Sequence, residues 1–209
     1  MCLTGFVTND KSQAISIPQL KEKLKDIIKE SLFHKSEIIF GALTEKDNLL
    51  FNSLISIENG NLKVRYNKKH LFSYANENKH ISSGDLPSEL NNVGYAICYD
   101  LRFPFHFNSL SESVKIVFLI ASWPDKRSKH WKALLKARAI ENQFYMVGVN
   151  RSGVDGEGLT YTGNNYIYDP LGKRMKSVRF DDYTEIIKIE MNKVDEVRKN
   201  FPFLNDRIR

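Results

Sequence analysis

The stretch Val114 to Ala121 reads Val-Lys-Ile-Val-Phe-Leu-Ile-Ala, and it constrains the fold more than any other part of the chain. It is far shorter than the ~20 residues that cross a bilayer, so it belongs to a protein core. A short run this apolar predicts a strand covered on both faces. Such a strand needs material above and below it, which points to layers of helix and sheet. The flanks agree. Ser128 to about Asn142 is rich in Leu, Ala, Lys, Arg and Glu and predicts a helix with Ser128 as its cap, and Phe144 to Val149 predicts a second apolar strand.

Upstream, Leu20, Leu24, Ile27 and Ile28 follow Pro18 at helical spacing, which predicts one amphipathic surface helix over 18–31. Ser36 to Leu43 and Asn48 to Ile57 predict a hairpin closed by Thr44-Glu45-Lys46-Asp47, and Asn59-Gly60 turns the chain into a third strand, Leu62 to Tyr66. Residues 73–91 are polar and aperiodic and predict a loop at the rim of a site. Val93 to Cys98 predicts another strand, with Phe103-Pro104 opening a helix soon after. Gly153 to Gly163 reads as a loop, and Asn165 to Tyr168 as a strand closed by Asp169-Pro170-Leu171-Gly172. Ile187, Ile189 and Met191 alternate as in a last strand, after which Asn192 can cap a terminal helix.

At 209 residues, with 42% hydrophobic and 27% charged residues, the chain fits one globular domain. Its net charge of +6 comes from 31 basic residues interleaved with 25 acidic ones, which reads as a solvated surface rather than a nucleic-acid footprint. The amino end lacks a basic segment followed by an apolar one, so neither export nor a membrane is expected, and a cytoplasmic setting is. Cys2 and Cys98 cannot make a disulfide framework and lack zinc-site spacing. His34, His70, His80, His106 and His130 include no pair at metal-binding helical spacing, and no phosphate-cradling glycine loop is visible. Neither a metal nor an organic cofactor is expected.

The segment Gly94-Tyr-Ala-Ile-Cys98-Tyr-Asp-Leu-Arg-Phe-Pro104 carries the chemistry. It puts a thiol where a buried strand turns toward a helix. There, main-chain N–H groups converge and the helix dipole lowers a thiol's pKa. Such a thiol can act as a nucleophile, and the N–H of Tyr99 can donate to an oxyanion. Read by itself, an inert buried cysteine at a strand end has the same sequence.

The segment resembles the nucleophile motif of the carbon-nitrogen hydrolases, the nitrilase-like superfamily. Tyr66-Asn-Lys-Lys-His-Leu-Phe72 is similar to the segment carrying that family's catalytic lysine, and Trp123-Pro followed by His130 to Gly153 resembles its helix and strand after the nucleophile. Within the family the Cys-Tyr-Asp-Leu-Arg-Phe-Pro form, the Trp-Pro pair and the Arg-Ala-Ile-Glu-Asn run are most similar to the omega-amidases, which hydrolyse the distal amide of 2-oxo acids such as 2-oxoglutaramate. The resemblance implies Cys98, rather than Cys2, as nucleophile, and picks Lys68 over Lys69 as its partner. A cation there stabilises a thiolate and an oxyanion. Glu77 resembles a second glutamate that orients the lysine and the substrate, although a loop glutamate is usually solvated. Arg102, whose planar fork suits a carboxylate, is the candidate for gripping an oxo acid, against a surface salt bridge. Trp123 can wall the pocket, as a core tryptophan would also look.

The implied fold is a four-layer α-β-β-α sandwich, a single domain over 1–209 that pairs into homodimers. The implied reaction is hydrolysis of a small linear amide through a cysteine thioester, with release of ammonia. In the family the general base is a glutamate in a Pro-Glu motif, followed by an apolar residue and a Thr-Gly or Ser-Gly pair. Met1 to Phe6 resembles what comes after that glutamate, so the first strand, first helix, second strand and base are expected before Met1. The competing expectation is a catalytically inactive fragment or degenerate relative.

Overall fold

The computed structural model describes residues 4–5, 11–85, 90–110, 113–179, 181 and 184–208. Contacts divide the chain into two compact units, one of residues 1–88, 95–100 and 120–122, the other of residues 89–94, 101–119 and 123–209.

In the first unit, β1 (Ile15–Ser16) runs parallel to β2 (Glu37–Lys46). Ser16 then caps α1 (Ile17–Lys23) through a capping box with Gln19, and Pro18 stands in the first turn, where its missing N–H costs nothing. The single helix expected over 18–31 is two. Leu24, at φ −109° and ψ 16°, leaves helical geometry and separates α1 from α2 (Lys25–His34). Leu20, Leu24 and Ile28 pack with Ile55, Ile57 and Leu62, whereas Ile27 stays exposed.

β2 pairs antiparallel with β3 (Leu49–Glu58), and β3 with β4 (Asn61–Asn67), giving the order β1-β2-β3-β4. The turn expected over Thr44–Asp47 is shorter. Asp47 and Asn48 alone form it, both at positive φ, as the right-handed twist of a tight hairpin requires, and Asn59-Gly60 repeats the device. Within 73–91 the chain is not only loop, since it makes a 3-10 turn at Ser73–Ala75 and α3 (Glu77–His80).

β5 (Val93–Ile97) divides between the units and leads into a 3-10 turn, Cys98–Arg102. The remaining elements are α4 (Pro104–Asn108), β6 (Ile116–Ala121), α5 (Ser128–Asn142), β7 (Tyr145–Asn150), β8 (Ser152–Val154), β9 (Thr160–Thr162), β10 (Tyr166–Tyr168), β11 (Val178–Arg179), β12 (Glu185–Ile186) and α6 (Asn192–Asn200). Strand order is β10-β7-β6-β5. β6 buries both faces, as its apolar run demanded. Ile116 and Phe118 join Tyr145, Val147 and Val194 in one cluster, while Val117 and Leu119 are fully buried.

Several boundaries differ from expectation. Ser128 and Asn192 are the first helical residues, after Arg127 and Met191, and no side chain caps either helix. The loop over 153–163 carries the β8-β9 hairpin. The last strand is only Glu185–Ile186; Ile189 and Met191 instead pack on the apolar cluster of the second unit. Among the described residues no helix is long and apolar enough to cross a membrane.

Candidate active site

Lys68 follows β4, and its main chain is held on both sides, its N–H donating to the Asn52 carbonyl at 2.9 Å and its carbonyl accepting from the Gly84 N–H at 2.9 Å. A Cβ on Gly84 would run into the main-chain carbonyl of Asn67, so only glycine permits this approach. The Lys68 side chain is 1% exposed, and Nζ lies 2.6 Å from Glu77 Oε2. Glu77 is wholly buried at the first position of α3 rather than solvated in a loop. Its Oε1 accepts from Asn52 Nδ2 at 2.9 Å, and its Oε2 also accepts from the Phe72 N–H at 2.6 Å. A buried carboxylate with these donors and a cation meets the condition under which charge is tolerated in a core.

Cys98 opens the 3-10 turn at φ +45°, a left-handed conformation that a residue with a Cβ rarely adopts. Its Sγ lies 3.7 Å from the Ser122 carbonyl. Burial pushes the thiol pKa up, with the negative charges of Glu77 and Asp100 adding to it, while Lys68 and the Ser122 contact act in the opposite direction. The expectation of a thiol lowered by a helix dipole is therefore corrected. The element after Cys98 is one 3-10 turn, too short to build a macrodipole, and desolvation outweighs the lysine. Cys2 lies outside the described residues.

The Tyr99 ring packs on Phe72 with centroids 4.8 Å apart. Arg102 and Trp123 belong to the second unit and meet there. The Arg102 guanidinium lies 4.9 Å from the centroid of the Trp123 ring, and its Nη2 lies 3.5 Å from His130 Nδ1. Arg102 closes the 3-10 turn instead of starting the helix, which begins at Pro104. Trp123 is pinned by Asn150, whose Oδ1 accepts the Trp123 N–H at 2.7 Å and whose Nδ2 donates to its carbonyl at 2.9 Å. Lys68, Glu77, Cys98 and Tyr99 thus share the first unit, and Arg102 and Trp123 form a separate pair in the second.

Residues 1–199 match the carbon-nitrogen hydrolase family over almost the whole chain. The chain belongs to this family. Among its relatives is omega-amidase YafV of Escherichia coli, 37% identical over 160 residues that span 74% of this chain and 62% of that protein. Another is 2-oxoglutaramate amidase of Paenarthrobacter nicotinovorans, 32% identical over 199 residues, or 90% of this chain and 67% of that one. A solved CN-hydrolase superfamily protein of Xanthomonas campestris superposes with a TM-score of 0.82 at 28% identity, covering 98% of this chain and 81% of that one. The fold is thus the nitrilase-like α/β fold that the resemblance implied.

For this carbon-nitrogen hydrolase, reading the sequence singled out Cys98 and Lys68 but passed over Asn52, Gly84 and Asp100. Asn52 sits in a strand whose alternation favours apolar residues. A buried amide breaking such a pattern is the signal that could have marked it. Asp100 lies within the Cys98 motif, whose pattern alone gives it no role. It is fully buried and accepts from the Tyr66 hydroxyl and the main-chain N–H groups of His70 and Ile97.

Proposed function

We propose that this chain carries the nucleophile and oxyanion machinery of an amidase acting on the omega-amide of a 2-oxo acid. The observation that carries this reading is the buried Lys68–Glu77 pair, whose ammonium acts on the Cys98 thiol while Cys98 is held at positive φ. The omega-amidase and 2-oxoglutaramate amidase relatives support the substrate class.

Cys98 Sγ attacks the amide carbonyl carbon, and the resulting oxyanion is held by Lys68 Nζ and the Tyr99 N–H. The tetrahedral species collapses by breaking the C–N bond. The amide nitrogen leaves with the proton that began on the thiol, as ammonia, and an acyl thioester remains on Cys98. Water then adds to the thioester, giving the carboxylic acid and restoring the thiol. Glu77, whose carboxylate accepts from Lys68, Asn52 and the Phe72 N–H, orients the lysine. Arg102, whose guanidinium lies 4.9 Å from the centroid of the Trp123 ring, is the group proposed to grip the carboxylate of the oxo acid.

The test is to incubate the protein with 2-oxoglutaramate and, in parallel, with glutamine, following ammonia and the mass of the Cys98 peptide. The reading expects ammonia from 2-oxoglutaramate and an acyl adduct on Cys98, both lost in Cys98→Ala. Arg102→Lys should raise KM for 2-oxoglutaramate more than for an uncharged amide. Ammonia release unchanged by Cys98→Ala would reject the nucleophile, and equal use of glutamine would reject the 2-oxo acid.

A further inference from the structure

Lys68 does not reach its place through its own side chain alone. The main-chain N–H of the next residue, Lys69, donates to the Tyr66 hydroxyl at 2.7 Å, and that hydroxyl donates to Asp100 Oδ2 at 2.9 Å. The N–H of His70 donates to Asp100 Oδ1 at 2.9 Å, and the His70 Nδ1 lies 2.9 Å from the same oxygen. The residues on either side of Lys68 are therefore tied to one carboxylate. That carboxylate also grips the other half of the site, because Oδ2 accepts the N–H of Ile97 at 2.9 Å, across the backbone of Cys98. Asp100 is fully buried, so its bonds are neither shared with solvent nor easily exchanged.

We propose that Asp100 is a positioning residue that sets the Lys68 ammonium against the Cys98 thiol and holds Cys98 in its left-handed conformation. The proposal rests on the reading of Cys98 and Lys68 as the reacting pair. Asp100 needs no contact with substrate for this. It joins the lysine segment to the nucleophile turn by hydrogen bonds to Tyr66 and His70 on one side and Ile97 on the other.

A purely structural role can be told apart by the sign of one measurement. The negative charge of Asp100 itself disfavours the Cys98 thiolate, whereas Lys68 favours it. Deleting the charge with nothing else moved would make Cys98 ionise at lower pH. Losing the position of Lys68 would make it ionise at higher pH.

The experiment follows alkylation of Cys98 by iodoacetamide from pH 7 upward, by peptide mapping on the full chain. The variants are Asp100→Asn, Tyr66→Phe, Lys68→Met and the double variant Asp100→Asn with Lys68→Met. Each is checked for native far-UV circular dichroism. Asp100→Asn should move the midpoint upward, and each pH unit of displacement should slow alkylation at neutral pH about tenfold. Lys68→Met should then add little in the Asp100→Asn background. Tyr66→Phe, which keeps the carboxylate but removes its bridge to Lys69, should move the midpoint the same way by less. A midpoint that falls or stays fixed in Asp100→Asn overturns the proposal. If Asp100→Asn does not fold, the direction seen in Tyr66→Phe decides instead. Should Lys68→Met leave the wild-type profile unaltered, the pairing of Lys68 with Cys98 fails first and takes this proposal with it.

Discussion

Cys98 and Lys68 occupy states that stability alone would not select. A residue with a Cβ in a left-handed conformation costs about 1–3 kcal/mol, and breaking a buried ion pair costs about 3–5 kcal/mol although an apolar pair of the same volume is often as stable. The Lys68–Glu77 pair is thus not accounted for by what it adds to folding, which fits the role proposed for its ammonium. The backbone at Cys98 gives the first test. Glycine has no Cβ to strain, so Cys98→Gly should be more stable than Cys98→Ala by about 0.5–1 kcal/mol, after the entropy that glycine loses on folding. Urea midpoints of the two variants measure this. An alanine variant that is the more stable of the two would mean that the turn carries no strain.

At the level of elements, the parts of the chain written in local chemistry were legible. The β2-β3-β4 meander followed from alternating apolar residues and Asn-Gly, and β6 followed from its run of Ile, Val, Phe and Leu. The break at Leu24 was not legible, because Leu20, Leu24 and Ile28 keep helical spacing straight through it and only packing on β3 decides the bend. Helix α3 is too short to show a period, which is why Glu77 read as a solvated loop residue. The site shared this limit. Cys98 and Lys68 were named by resemblance, whereas the bonds from Asp100 to Tyr66 and His70 span 34 and 30 residues and leave no mark on local pattern. Contact between elements also explains Gly148, where a Cβ on β7 would stand 2.5 Å from Leu135 and 2.9 Å from Trp131 on α5, both fully buried. Gly148→Ala should therefore destabilise the protein by about 1–3 kcal/mol through overpacking, read as a lower Tm. An unchanged Tm would show that α5 can shift away from β7 without cost.

For the molecule as a whole, burial of weak acids sets how folding responds to pH. In the first unit burial pushes up the pKa of the Cys98 thiol and of the Tyr66 hydroxyl, and raises that of Tyr95 to about 12. Tyr145 and Tyr168 in the second unit move in the same direction, also through burial. A folded state that keeps these groups neutral binds more protons than the unfolded chain once the pH passes their unfolded values. Stability then falls as pH rises. The unfolded values are about 8.5 for Cys and about 10 for Tyr, so the loss should come in two stages. The first, from pH ~8.5, belongs to Cys98, and the second, from pH ~10, to the tyrosines. The net charge of +6 at neutral pH declines over the same interval, which eases repulsion among cations and opposes the loss. Comparing variants separates the two effects, since Cys98→Ala leaves the neutral-pH charge of the surface unchanged. Urea unfolding of the wild type and of Cys98→Ala at intervals from pH 7.5 to 11 should show a shallower fall for the variant from pH ~8.5 upward. Identical slopes from pH ~8.5 upward would mean that the thiol ionises as readily folded as unfolded.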